Sequence, residues 1–226
     1  MHLSLIFRRA SSVGSRAFLL FFIGFAATFS YAADPPAEDW KLVSQSSGLT
    51  IYGRTRAGSP IKEFKAVGHI DATPRAVLAV IDDTDAYPRF MPYIAECRVI
   101  KRDADSLISY QRVSPPFCTD RDYSICVRHD TKSTPAGTAY VCSWDLANAQ
   151  GPAERTDILR VKVNEGSWLI EPAPGNTSRA TYCVYTDSGG SLPAWLAGKA
   201  NQIGIGKLFD AIRKQVKETK YSEVKP

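Results

Sequence analysis

The sequence contains no Cys-x-x-Cys, no His-Glu-x-x-His and no Gly-x-Ser-x-Gly. It therefore lacks the local signatures of a zinc ribbon or thioredoxin pair, a metalloprotease helix and a hydrolase nucleophile elbow. Histidine is scarce, and neither His69 nor His129 stands in a metal-ligand spacing. Gly204-Ile205-Gly206-Lys207 is followed by Leu208, and position 201 is Asn, so this is not a phosphate-binding loop. There is no internal repeat and no low-complexity tract. No apolar run reaches the roughly 20 residues of a membrane-spanning helix. These absences leave no catalytic residue, metal or cofactor to assign.

What is present is a leader followed by one ordinary domain. Apolar residues make up 44% of the chain and charged residues 23%, a balance that supports a core without metal or dense disulfides. Arg8, Arg9 and Arg16 precede an uncharged apolar run from Ala17 to Phe29, and Ser30-Tyr31-Ala32 follows with small residues where a signal peptidase reads. Residues 1–32 read as a signal peptide cleaved after Ala32, and 33–226 as the mature domain, periplasmic or secreted. No Cys precedes Cys97, so a lipoprotein anchor has no attachment site. Cleavage removes three positive charges and the net charge falls from +5 to +2. That is too small a surplus for a nucleic-acid partner.

Five cysteines, Cys97, Cys118, Cys126, Cys142 and Cys183, lie in the mature part. Export permits disulfides, and an odd count leaves at least one thiol over. Cys126 and Cys142 fall on adjacent predicted strands and are the candidate pair. The alternative is that they are small buried apolar residues.

Strand-like segments at Trp40 to Ser44, Leu49 to Arg54 and Ile61 to Ile70 are rich in β-branched and aromatic residues. Thr73-Pro74 then opens a helix, with Thr as N-cap and Pro at the first helical position. Asp82, Asp83 and Asp85 cluster at its end, where they suit helix termination. Ala86 to Tyr93 reads as a short helix or turn. Further strands are predicted at Ala95 to Lys101, Leu107 to Val113, Asp122 to Arg128, Thr138 to Leu146, Val161 to Glu171 and Arg179 to Thr186. Asp130 to Gly137 reads as a hairpin loop, and Asn148 to Thr156 as a longer loop suited to a mobile lid. A long helix is predicted from Ser191-Leu192-Pro193 to about Lys220, with its apolar residues mostly three and four apart. Gly198, Gly204 and Gly206 each weaken it by about 1 kcal/mol relative to Ala. They either pack tightly on the sheet, or let the backbone approach a ligand or bend. The order of elements gives an α+β fold, a curved antiparallel sheet closed by a C-terminal helix.

Several segments carry a family likeness. Asp187-Ser188-Gly189-Gly190-Ser191-Leu192-Pro193-Ala194-Trp195-Leu196-Ala197 resembles the entry to the last helix of the START (steroidogenic acute regulatory protein-related lipid transfer) family, with Ser188 where that family commonly has Pro. Arg121-Asp122-Tyr123 after Pro115-Pro116, Asp82-Asp83 to Met91-Pro92, and Gly166-Ser167-Trp168 with Pro172 resemble other family segments, in the family's order. The likeness runs from about Trp40 to Lys220. It implies a helix-grip fold whose tunnel holds one lipid, sterol or other hydrophobic molecule.

The tunnel wall should be strand residues of one parity plus the inner face of the last helix. Tyr110 and Arg112 share a parity, as do Cys142 and Trp144, and as do Trp168 and Ile170. Which parity faces inward is open from sequence. The candidate ligand contacts are Tyr110, Arg112, Arg128, Trp144, Trp168, Trp195, Ile203, Phe209 and Ile212. For the two arginines the alternative is a solvated surface charge, and for the tryptophans plain core packing. Lys199, Lys207, Arg213, Lys214, Lys217, Lys220 and Lys225 on the last helix and tail, set against Asp210, Glu218 and Glu223, either face solvent or make transient contact with a membrane surface. The expectation is a monomeric, non-enzymatic lipid carrier. The alternatives are a cyclase-like enzyme, marked by a buried acid–base pair in the cavity, and an interaction module whose pocket has closed below about 300 Å³.

Overall fold

The computed structural model describes residues 39–222 apart from 117, 188 and 191–193, and the side chains of 194–197 and 222 lie outside it. The expected leader and its cleavage site also lie outside the described residues. Ten strands form one sheet. They are β1 (Lys41–Ser46), β2 (Leu49–Thr55), β3 (Lys62–Ile70), β4 (Ile94–Arg102), β5 (Ser106–Val113), β6 (Arg121–Thr134), β7 (Gly137–Leu146), β8 (Leu159–Arg160), β9 (Val163–Ala173) and β10 (Thr177–Asp187). The spatial order is β1-β2-β3-β10-β9-β7-β6-β5-β4, antiparallel throughout, and β8 lies parallel to the start of β6.

Thr73 and Pro74 start α1 (Pro74–Asp82) as predicted. The Thr73 hydroxyl accepts the Ala76 amide proton at 3.3 Å. Pro74 stands where its missing N–H costs nothing. The helix buries Ala76, Val77, Val80 and Ile81. A 3₁₀ turn (Thr84–Ala86) and the short α2 (Tyr87–Phe90) lead into β4. The Tyr87 hydroxyl donates to the Ile81 carbonyl at 2.5 Å, which satisfies one of the carbonyls a helix end leaves open.

The C-terminal helix α3 (Ala194–Gln215) lies on the inner face of the sheet. Phe209 is fully buried, its ring 5.3 Å from that of Trp168. A β-carbon at Gly68 on β3 would come within 2.6 Å of the Phe209 ring, so Gly68 sets how closely helix and sheet approach. The helix is shorter than predicted. It ends at Gln215, and after a turn α4 (Thr219–Ser222) begins.

One loop expectation fails, and the other loop is present but tethered. Asp130 to Thr134 is strand, paired with Gly137–Val141 up to a Pro135-Ala136 turn. This part of the hairpin is mostly solvent-exposed, so it lacks the apolar alternation by which strands are read. The Asn148–Thr156 segment is pinned. Asn148 accepts from the Ser124 amide at 2.8 Å and donates to the Val161 carbonyl at 2.9 Å, and Arg160 donates to the carbonyls of Pro152 and Ala153.

α4 is clasped to the end of α1. Lys220 Nζ donates to Asp83 Oδ2, and the Tyr221 hydroxyl does so at 2.7 Å. Burial alone would raise the Asp83 carboxyl, but these donors outweigh it and hold it below the usual carboxylate value. A depressed folded pKa gives stability that is complete above the unfolded value, about 4, and is lost as pH falls through the folded one. Asp83→Asn is therefore expected to flatten the fall in Tm between about pH 5 and about pH 2. Equal acid slopes for the variant and the parent would exclude the clasp as an acid-sensitive contact.

Candidate functional site

A cavity of about 380 Å³ lies between the inner face of the sheet and α3. Its wall follows strand register. Tyr182, Trp168 and Cys142 line it from opposite positions on β10, β9 and β7, and the same row runs on beyond the lining to Ala66 and Ile51 of β3 and β2 and to His129 of β6. In the next row Val184, Gly166, Trp144, Val127 and Leu107 stand opposite one another in turn. Gly166 leaves room for the Trp144 indole, which a β-carbon there would strike. From α3, Ala200, Asn201, Gly204, Ile205 and Leu208 face the cavity, one helical turn apart in pairs. Cys118 and Ala200 line it while exposed to solvent, which places the opening beside them.

Trp144 and Trp168 do line this wall, with Tyr182 packed between them at ring distances of 5.6 and 4.6 Å. Phe209 and Ile212 are fully buried in the adjoining core rather than on the wall. The Trp195 side chain lies outside the described residues.

Four candidates face elsewhere. On β5 the inward parity is odd, carrying Leu107, Gln111 and Val113, so Tyr110 and Arg112 point to the outer face. There Tyr110 bonds to Asp122 and Arg112 to Asp120. On β6 the inward residues are Tyr123, Ile125 and Val127, and Arg128 pairs with Asp145 in solvent. Ile203 is 51% exposed, because it lies on the side of α3 away from Ile205. The suggested disulfide fails for the same reason of parity. Cys126 stands opposite Asp145 and Cys142 opposite His129, and the two sulfurs lie on opposite faces of the sheet. Residues 148–156 line no part of the cavity, so they form no lid over it.

The helix glycines do not pack tightly. A β-carbon at Gly204 or Gly206 would meet nothing within 4 Å among the described residues. Gly204 opens directly on the cavity.

Most polar groups on the wall are paired. The Tyr123 hydroxyl donates to Gln111 Oε1 at 3.0 Å, and Trp144 Nε1–H donates to Asn164 Oδ1 at 3.1 Å. Arg121 donates to the Thr119 carbonyl at 2.5 Å. Thr84 is an exception: its buried hydroxyl has no partner among the described residues.

At the α1 end, His129 Nε2 lies 2.7 Å from Asp82 Oδ1, and the Cys142 sulfur lies within 4.8 Å of both. The bond to Asp82 raises the His129 pKa above its ordinary value against the opposing effect of burial. Burial, with the Asp82 charge, pushes the Cys142 thiol up to about 12, so it is no thiolate nucleophile at neutral pH. No spacing in the sequence marks this trio. One signal was available in principle. The hairpin closes at Thr134 and Gly137, and stepping back five residues on each strand brings His129 opposite Cys142.

Residues 70–213 match the family model described as polyketide cyclase / dehydrase and lipid transport. An uncharacterized protein of Pseudomonas aeruginosa is 31% identical over 173 residues, 76% of this chain and 84% of that protein. The phosphatidylcholine transfer protein of Mus musculus is 27% identical over 169 residues, 74% of this chain and 78% of its own. The STAR-related lipid transfer protein of Xanthomonas axonopodis matches with a TM-score of 0.71 at 24% identity, covering 79% of this chain and 99% of that one. By sequence and by its helix-grip fold, this chain belongs to the polyketide cyclase / dehydrase and lipid transport family, START-like in architecture.

Proposed function

We propose that the protein binds one lipid or other hydrophobic molecule in the cavity and carries it through water, without chemistry on it, after export across a membrane. The observation that carries this reading is the cavity itself. At about 380 Å³ it exceeds the roughly 300 Å³ floor of ordinary ligand sites, and its wall is largely aromatic and aliphatic. Burying a methylene there gains about 0.8 kcal/mol relative to water. A bilayer offers much the same, so exchange with a membrane costs little. The named lipid-transfer relatives support the same reading, and lipid transport is part of the family's description.

The family description also includes cyclases, and one observation favours an enzyme. The Asp82–His129 pair offers an acid and a base side by side, with Asp82 lining the cavity. The two readings separate by native mass spectrometry with lipid extraction, on protein purified from its own compartment without detergent. The carrier reading expects one intact lipid per chain and a mature N-terminus at Ala33. An empty protein that takes up no fatty acid, phospholipid or sterol would remove it.

The opening offers a finer test. Tyr93 has a left-handed φ of 65°, a conformation that a bulky residue holds at a cost of about 1 kcal/mol or more. Lys207 on α3 donates to its hydroxyl at 2.6 Å. Lys207→Met is expected to speed ligand release by up to about tenfold, the value of one exposed hydrogen bond. Transfer kinetics between vesicles check it, and an unchanged rate would mean that this contact does not gate the opening.

A further inference from the structure

We propose that Asp82, His129 and Cys142 form a binding site for one divalent transition-metal ion of the zinc type, with a coordination position open to the cavity. The donors come from the end of α1 and from β6 and β7, the two strands of one hairpin, on which His129 lies 47 residues beyond Asp82 in sequence. Their ligand atoms already lie within 4.8 Å of one another. Zinc–ligand distances of about 2.0 Å to nitrogen or oxygen and about 2.3 Å to sulfur place tetrahedral donors roughly 3.3–3.7 Å apart. The Asp82–His129 contact of 2.7 Å therefore opens by about half an ångström to admit an ion, and the sulfur moves in by no more than about one.

The donor set chooses the ion. One imidazole, one sulfur and one carboxylate suit zinc or cobalt, whereas calcium and magnesium take oxygen ligands alone. Coordination replaces the thiol proton of Cys142, which leaves to solvent, and forms the metal–sulfur bond.

Nε2 points to Asp82, and the backbone amide of His129 donates to the Asp105 carbonyl at 3.0 Å, which fixes the strand that carries the ring. Cys142 stands directly across from His129, so strand pairing holds two of the three donors. Asp82 and Cys142 both line the cavity, so an ion reaches the site from there. Three protein ligands with an open fourth position are the arrangement that leaves a metal free to bind an exogenous oxygen. Thr84, two residues from Asp82, lines the same cavity with a buried hydroxyl that has no partner among the described residues, and supplies a hydrogen bond for such a group.

The competing account is that Asp82 and His129 only tie α1 to β6, and that Cys142 only fills space. The two differ in what happens with cobalt. The purified, metal-stripped protein is titrated with Co²⁺ and followed by absorbance. One equivalent is expected to give a thiolate-to-cobalt charge-transfer band and four-coordinate d–d bands, which one equivalent of Zn²⁺ then abolishes. Cys142→Ser is expected to remove the charge-transfer band. His129→Gln and Asp82→Asn are each expected to weaken Co²⁺ binding by about tenfold or more. Circular dichroism establishes that each variant is folded. Absence of a charge-transfer band in the parent overturns the proposal, as does a band that survives Cys142→Ser and so belongs to another cysteine. If Cys142→Ser does not fold, unchanged cobalt affinity in both remaining variants overturns it equally. The protein is delipidated before the titration, because the ion enters through the cavity, and the readouts themselves need no bound lipid.

Discussion

Asp122→Ala is expected to lower stability by about 3–5 kcal/mol, because it leaves a buried guanidinium without its counter-charge. Asp122 is 1% exposed, and it accepts from Arg160 Nε at 2.7 Å and from a second guanidinium nitrogen at 3.1 Å. Tyr110 donates to the same carboxylate at 3.2 Å. Arg160 also holds the carbonyls of Pro152 and Ala153, so the loss extends to the 148–156 segment. Urea unfolding measures the effect. The double variant Asp122→Ala/Arg160→Met removes the stranded charge and is expected to be more stable than Asp122→Ala alone. A loss below about 1 kcal/mol in the single variant, the range of an exposed pair, would mean that water reaches Arg160 freely.

Gly204→Phe is expected to abolish ligand uptake while leaving the fold intact. Gly204 has open space where its β-carbon would stand, and that space is the cavity. A ring that displaces about four methylenes of ligand forfeits about 3 kcal/mol, on the order of 100-fold in affinity. Gly204→Ala, by contrast, keeps the cavity nearly whole and gains about 0.5–1 kcal/mol of helix stability. Gly206→Ala gains similarly, since it too meets nothing within 4 Å and does not line the cavity. Binding titrations with a fluorescent lipid beside thermal melts separate the two effects. Full uptake by a stably folded Gly204→Phe protein would place the ligand elsewhere.

Much of the architecture was legible in the chain. Thr73-Pro74 marked the start of α1, and most strands fell near their predicted bounds. The inward parity was not legible, and β5 shows why. Tyr110 is buried on the outer face beside Asp122 and Arg160, while Leu107 and Gln111 are buried on the inner face. Burial on both faces erases the alternation that distinguishes them. The cluster of Asp82, His129 and Cys142 was hidden for another reason. His129 and Cys142 are neighbours only through a hairpin whose exposed, polar tip reads as loop. Asp82 joins them from a helix 47 residues earlier. Of the two explanations for the helix glycines, tight packing fails because their neighbouring space is empty among the described residues.

The row of rings across the sheet has an optical consequence. Of the four tryptophans, Trp144 and Trp168 form part of the cavity wall and share Tyr182 as a neighbour, while Trp40 lies beneath Arg54 and Lys65. Hydrocarbon entering the cavity lowers the polarity beside two indoles at once and leaves Trp40 as it was. The unlabelled molecule thus carries its own emission probe, two indoles whose emission shifts to the blue when hydrocarbon fills the interior.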